Sequence, residues 1–135
     1  MNQRFVLLIL ILSFSSLATM AQDAEAEAMI EEIGQAISNG SARDMAAFFG
    51  QNVDLYLPRA IGTFSKSQSE IILREFFNRN RPKSYTVVNQ GVSGDGSVFV
   101  IGRFTARSGQ TYRSYFLLKH VSQSYLLHHV QFDQL

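Results

Sequence analysis

The segment Ser67–Phe77, followed by strand-like sequence almost to the end of the chain, constrains the fold more than any other feature. Ser67 and Glu70 match the S-x-x-E capping box, in which a hydroxyl and a carboxylate bind backbone N–H groups that the first helical turn leaves unpaired. We therefore predict a helix that starts at Gln68. Its apolar side chains recur at i, i+1, i+4 and i+5 and form one stripe suited to packing on a sheet: Ile72, Leu73, Phe76 and Phe77.

Two further helices are predicted before this segment. The first runs from Asp23 to Asn39, and Gly40 suits a left-handed C-terminal cap. Its apolar residues share one face: Met29, Ile30, Ile33 and Ile37. Ser41 then caps a short helix that buries Met45 and Phe48 and ends at Gly50.

The remaining segments have the alternating pattern of strands. Val53–Leu57 forms a strand that Pro58 stops, and Ala60–Phe64 forms a second short one. Turns rich in Gly and Ser then separate the strands of an antiparallel meander: Tyr85–Val88, Ser97–Thr105, Thr111–His120 and Tyr125–Phe132. This order predicts an α+β fold, with three N-terminal helices packed on a curved antiparallel sheet.

The N-terminus has the pattern of a secretory signal peptide. Arg4 precedes the apolar run Phe5–Leu12, and small residues follow up to Ala21. Cleavage after Ala21 would leave 135 − 21 = 114 residues, a single domain over 22–135. The apolar run is too short to remain as a membrane anchor, so we expect a periplasmic or secreted protein without a membrane span. The absence of cysteine excludes a disulfide framework, a lipidated cysteine and thiolate chemistry.

Charge is balanced overall but unevenly distributed. Removing Arg4 leaves 11 basic and 11 acidic residues. The stretch 23–54 holds seven acids and one base, whereas 59–119 holds ten bases and three acids. Mutual neutralisation across a solvated surface is the simpler interpretation, and an anion-binding surface is the alternative. The export signal and the neutral balance argue against a nucleic-acid partner.

The element order resembles the cystatin-like α+β cone of nuclear transport factor 2 and ketosteroid isomerase. Several sequence features are similar to a family of secreted Bacteroidetes domains of unknown function: Phe64–Gln68, Glu70–Phe77, Pro82, Ile101-Gly102, Tyr112-Arg113 and Leu117–Lys119. This resemblance covers nearly all of residues 22–135. It implies the fold, export and a dimer, and it implies no activity.

Candidate chemistry is limited to a few side chains. Asp54 and Tyr56 form the polar face of their strand and would line a cone pocket only if that face turned inward; otherwise Asp54 is a solvent-facing acid. The neighbours His128 and His129 are expected on opposite faces, so they would not chelate one metal together. His128 would share the core face with Phe132, as a buried structural histidine or a cone residue, although a bulge would swap the two histidines. The sequence predicts no metal site and no cofactor.

An association surface is a separate prediction. Two neighbouring strands are apolar on both faces, but helices can cover only one face. The other face would then be an interface, most simply of a two-fold dimer packed sheet to sheet. The candidate interface residues come from one alternating set: Phe99, Ile101, Tyr115 and Leu117. Arg103, Arg113 and Lys119 would rim that face or the mouth of the cone.

These observations predict a non-catalytic module that binds a ligand or a protein, with a small hydrophobic ligand or an envelope protein as candidate partners. A small-molecule isomerase, dehydratase or hydrolase that uses the cone pocket is the alternative. A structural subunit of the cell envelope is a third hypothesis.

Overall fold

The computed structural model describes residues 23–135, so the predicted signal peptide lies outside the described residues. The elements of this part, in chain order, are α1 (23–38), α2 (Ala42–Ala46), β1 (Phe49–Leu57), β2 (Ala60–Ser65), α3 (Lys66–Arg79), β3 (Pro82–Val92), β4 (Val98–Ala106), β5 (Thr111–Val121) and β6 (Ser124–Gln134). The α+β prediction is confirmed. As the segment order predicts, α3 follows the β1–β2 hairpin, so only α1 and α2 precede the whole sheet.

The strands form one six-stranded sheet in the order β2-β1-β6-β5-β4-β3. Four of the five strand pairs are antiparallel, but β1 and β6 are parallel, so the predicted purely antiparallel sheet is wrong. Register shifts interrupt the β1–β6, β3–β4 and β5–β6 pairs. Such bulges bend the strands that carry them, which suits a sheet that wraps around a core.

The predicted C-terminal cap of α1 and the predicted N-cap of α2 are confirmed. Gly40 has φ of 65°, and its N–H donates to Ile37 O at 2.9 Å, while the Ser41 N–H donates to Ala36 O at 2.8 Å. This pair of bonds is the Schellman motif, which a left-handed glycine permits. Ser41 also begins α2, where its hydroxyl accepts from the Asp44 N–H at 3.1 Å.

The start of α3 differs from the prediction by two residues. The helix begins at Lys66, and Ser65 is its N-cap, with the hydroxyl accepting from the Gln68 N–H at 3.3 Å. Glu70 does not close a capping box but pairs with Arg74 at 3.0 Å. Ser65 ends β2 with an extended backbone and can therefore cap, whereas Ser67 already lies inside the helix.

Two strands are longer than predicted. β1 begins at Phe49, so Gly50 lies within a strand and does not end a helix. β3 extends from Pro82 to Val92 because its backbone pairs with β4 along almost its whole length, although its side chains alternate only weakly. Pairing with a neighbour has overridden a weak local pattern here.

The helices cover one face of the sheet, which we call the inner face. Its side chains are almost fully buried: Val53, Leu55, Val100, Phe104, Phe116, Leu118, Val130 and Phe132. The stripe of α3 packs on it through Leu73, Phe76 and Phe77, all buried, while Ile72 is half-buried at the edge. We call the opposite side of the sheet the outer face.

Candidate functional site

Aromatic rings fill the interior of the cone. Phe76 lies at their centre, with ring centroids 4.8 Å from Phe132, 5.4 Å from Tyr112 and 6.0 Å from Phe104. Phe104 and Phe132 also meet edge to face at 5.6 Å. Tilted and edge-on contacts at these distances are the favoured geometries of packed aromatic side chains. The rings thus occupy the space in which a substrate pocket of the cone would lie.

Asp54 and Tyr56 lie on the outer face and not in the cone. They alternate along β1 with the buried residues Val53, Leu55 and Leu57, and Tyr56 is 45% exposed. The Thr63 hydroxyl donates to the Asp54 carboxylate at 2.5 Å across the β1–β2 hairpin. The inward orientation that would make these residues a general-base pair is therefore not adopted.

A bulge places both histidines on the outer face. His129 pairs with Leu117 and Leu127 pairs with Leu118, so His128 is the extra residue. Leu127 and Val130, on either side of the two histidines, are both fully buried in the core. The expectation that His128 and His129 point to opposite faces is therefore wrong, because the bulge shifts the alternation by one residue.

His128 is packed against the backbone of β1. Its Nε2 lies 3.1 Å from where a Cβ on Gly50 would be, so a side chain there would require the ring to shift by a few tenths of an ångström. Nε2 is buried and has no hydrogen-bond partner in the described part of the chain. Burial lowers the pKa of His128, the Lys119 charge lowers it further, and Asp54 partly opposes the shift.

His129 is the centre of a group on the outer face that we call the His129 cluster: Tyr56, Tyr115, His129, Gln131 and Asp133. The His129 ring stacks on Tyr56 at 5.0 Å and meets Tyr115 edge to face at 5.3 Å. The Gln131 amide donates to Asp133 at 2.7 Å, so its oxygen is left to accept from His129 Nε2 at 3.0 Å. The spacing of two along one strand predicts that residues 129, 131 and 133 share the outer face, but sequence reasoning missed their contacts with one another and with the two tyrosines.

The four predicted interface residues form a contiguous patch beside this cluster. Phe99 pairs with Leu117 and Ile101 pairs with Tyr115, and all four are half-buried on the outer face. The alternate residues of the same strands face the core. We call these four residues the apolar patch.

Charges flank the apolar patch in two separate groups. Arg103 and Arg113 are directly opposite each other on β4 and β5, and Lys119 follows on β5. Asp133 of β6 is the register partner of Arg113, but its carboxylate accepts from Gln131, and no ion pair forms between them. One half of the face is therefore basic and the other half, with Asp54 and Asp133, is acidic.

The described residues contain no group of three or more His, Cys, Asp or Glu side chains that could hold a metal ion. An open groove of about 1040 Å³ runs between α1 and β3, but its carboxylates, Glu27 and Glu31, face no histidine or cation in it. Within 23–135, no helix combines the length and the apolar character needed to cross a membrane.

Comparison with solved structures shows the fold. A protein from Bacteroides ovatus superposes with a TM-score of 0.71 at 27% identity, over 77% of this chain and 93% of its own. One from Bacteroides uniformis gives 0.72 at 25% identity, over 78% and 95%. Both are described as DUF4783 family proteins. An NTF-2 like protein of unknown function from Silicibacter pomeroyi gives 0.59 at 12% identity, over 87% and 98%, which supports the NTF2-like fold alone.

No functionally curated protein matches the sequence. One family model, described as "Domain of unknown function (DUF4783)", matches residues 30–133 and so covers most of the chain. The implied membership in a Bacteroidetes family with an NTF2-like fold is confirmed. The chain belongs to the DUF4783 family.

Proposed function

We propose that this protein is a non-catalytic module that works by association, and that the outer face pairs two copies of the chain. The observation that carries this proposal is the apolar patch. Phe99, Ile101, Tyr115 and Leu117 form a contiguous apolar surface on the sheet face opposite the helices, on two interior strands of the sheet. A contiguous apolar surface with a polar surround is typical of protein interfaces.

The distribution of charge favours a second copy as the partner. A two-fold axis that runs along the strands near β5 and β6 would lay the basic half of one copy on the acidic half of the other. Arg113 would then meet Asp133 of the partner copy, and the apolar patch of each copy would pack on the His129 cluster of the other. Such self-complementarity is what an isologous interface requires.

The arrangement of ionisable groups argues against the alternative, an enzyme that uses the cone. A general base needs a cavity where it can meet a substrate and a second polar group that orients it. Asp54, Tyr56 and the two histidines lie on the outer face, and aromatic rings fill the inner one.

We place the module in the periplasm or outside the cell, a proposal that depends on the signal-like sequence of residues 1–21 alone.

A pair of neighbouring leucines provides the test. Leu117 belongs to the apolar patch, whereas Leu118 is fully buried on the inner face. Leu117→Glu should give folded monomers, since a charge in the interface blocks association but leaves the core intact. Leu118→Glu should unfold the domain, because it buries an unpaired carboxylate. Size-exclusion chromatography with light scattering, together with circular dichroism, measures both outcomes.

The proposal is contradicted if Leu117→Glu and the unmodified protein form particles of the same mass in solution. A folded Leu117→Glu variant that stays dimeric would place the interface elsewhere on the molecule. If the unmodified protein is monomeric but an envelope protein binds it and not Leu117→Glu, the outer face serves a different partner, and the self-association proposal is wrong.

A further inference from the structure

A separate cleft lies at one end of the sheet, away from the apolar patch. It forms where the β1–β2 turn, the C-terminus of α3, the start of β5 and the end of β6 meet. Its volume is about 290 Å³, and its lining residues are Pro58, Arg59, Phe76, Arg79, Asn80, Tyr112 and Gln134. This is at the lower end of the range of small-molecule sites, so it suits a ligand of about one ring.

The charge of this cleft is entirely positive. Arg59 and Arg79 contribute two guanidinium groups, and no carboxylate lines it. The contact of Arg79 with Glu75 is long, at 4.0 Å, and the Glu75 side chain is 62% exposed. Arg59 takes part in none of the ion pairs within 23–135. Two guanidinium groups that line one cleft with no carboxylate among its lining residues are complementary to an anion.

Polar groups inside the cleft are held in fixed positions. The Tyr112 hydroxyl donates to Asn80 Oδ1 at 2.8 Å, and Asn80 Nδ2 donates to Phe76 O at 3.1 Å. Burial raises the pKa of Tyr112, and the nearby Arg79 charge opposes the shift, which indicates that the guanidinium lies close to the hydroxyl. The phenol oxygen keeps its acceptor capacity, and Pro58 provides an apolar wall.

We propose that this cleft binds a small organic carboxylate, with Arg59 and Arg79 binding the carboxylate oxygens and Pro58 packing against the apolar body of the ligand. A planar carboxylate matches the fork of N–H donors that a guanidinium presents. The positive charge of Arg79 in the last turn of α3 also interacts favourably with the helix dipole. This role does not account for Arg59, which lies in the β1–β2 turn.

Benzoate and its uncharged isostere benzamide are suitable probes. Each is titrated into ¹⁵N-labelled protein, residues 22–135, up to a concentration of about 20 mM. This concentration exceeds the roughly millimolar Kd expected of a ligand of this size. Benzoate should shift the amide signals of residues 59, 79, 80, 112 and 134, and benzamide should not. Arg59→Gln and Arg79→Gln should each weaken benzoate binding about tenfold or more, as expected when a charged hydrogen bond is lost.

Arg74→Gln is the matched control, because it removes the same charge from the same helix at a position that pairs with Glu70 outside the cleft. It should leave the benzoate affinity unchanged. Arg59→Gln keeps the test valid if Arg79→Gln destabilises α3, since Arg59 lies in an exposed turn. Equal shifts with benzamide, shifts confined to other residues, no shifts at all, or full affinity in Arg59→Gln would each overturn the proposal.

Discussion

Two residues show how tightly side chains are fitted around the sheet backbone. A Cβ on Gly102 would lie 2.6 Å from the Tyr85 ring and 2.8 Å from Ser114 Oγ, and one on Gly50 would make a milder close contact, 3.1 Å from His128 Nε2. These glycines have no positive φ, so it is contact with neighbouring side chains that requires them. Each lies inside a strand, where glycine commonly marks a close approach.

Substitution of Gly102 tests this crowding. Gly102→Ala should lower the free energy of unfolding by about 1–3 kcal/mol, because Tyr85 and Ser114 must move to admit the methyl group. Urea unfolding measures the change. Gly94→Ala is the control, since nothing lies within 4 Å of its Cβ position, and it should be neutral or slightly stabilising. A loss below about 0.5 kcal/mol for Gly102→Ala would show that the neighbours yield easily.

His128 gives a prediction about pH. Because its pKa is lowered in the folded state, the unfolded chain binds a proton more readily, and stability falls as the pH drops. The contribution of neutral His128 to the free energy of unfolding is complete above about pH 6.5 and is lost as the pH falls towards the lower pKa of the folded state. His128→Gln should therefore flatten the dependence of the unfolding free energy on pH between about 7 and 5.

Urea unfolding at a series of pH values measures that slope. The exposed His120 gives the control, and His120→Gln should keep the slope of the unmodified protein. Lys119 and Asp54 are the charged groups that act on His128. An unchanged slope in His128→Gln would contradict this prediction, because it would mean that folding does not favour the neutral form of the His128 ring.

At the scale of elements, sequence patterns located most helices and strands but misplaced several of their ends. The segment around the start of α3 contains Ser65, Ser67 and Ser69, and the capping-box pattern favoured the second serine. The first one caps, because it is the residue where the extended backbone of β2 ends. Which of several candidate serines caps depends on the strand before the helix, and the pattern around Glu70 does not contain that information.

Alanine substitutions separate the two serines. Ser65→Ala should cost about 1 kcal/mol of unfolding free energy, because the Gln68 N–H loses its acceptor. Ser67→Ala, inside the first turn, should change stability by less than about 0.5 kcal/mol. Thermal or urea unfolding of both variants gives the comparison, and the reverse order would restore Ser67 as the cap.

The bulge at His128 was also beyond the reach of local patterns. Leu127 and Val130 are three positions apart but share the core, so strict alternation gives the wrong face for one histidine. The extra residue becomes evident only when β6 is aligned with β5. For the same reason, the parallel pairing of β1 with β6 could not be deduced from either strand alone.

At the scale of the whole molecule, the faces of β4 and β5 were ambiguous in sequence because both are apolar. Packing of the helices decides between them, with Leu118 inside and Leu117 outside. The expectation that an apolar surface remains after the helices have packed is supported by the apolar patch. The outward orientation of Asp54 and Tyr56 could not be settled without the sheet order, since β1 has one polar face whichever way it turns.

The mass of the unmodified protein in solution tests the central claim most directly. Light scattering on residues 22–135, across a wide range of concentrations, should give the mass of two 114-residue chains and a dissociation towards one only on dilution. The mass of a single chain at every concentration would contradict the proposal that the outer face pairs two copies.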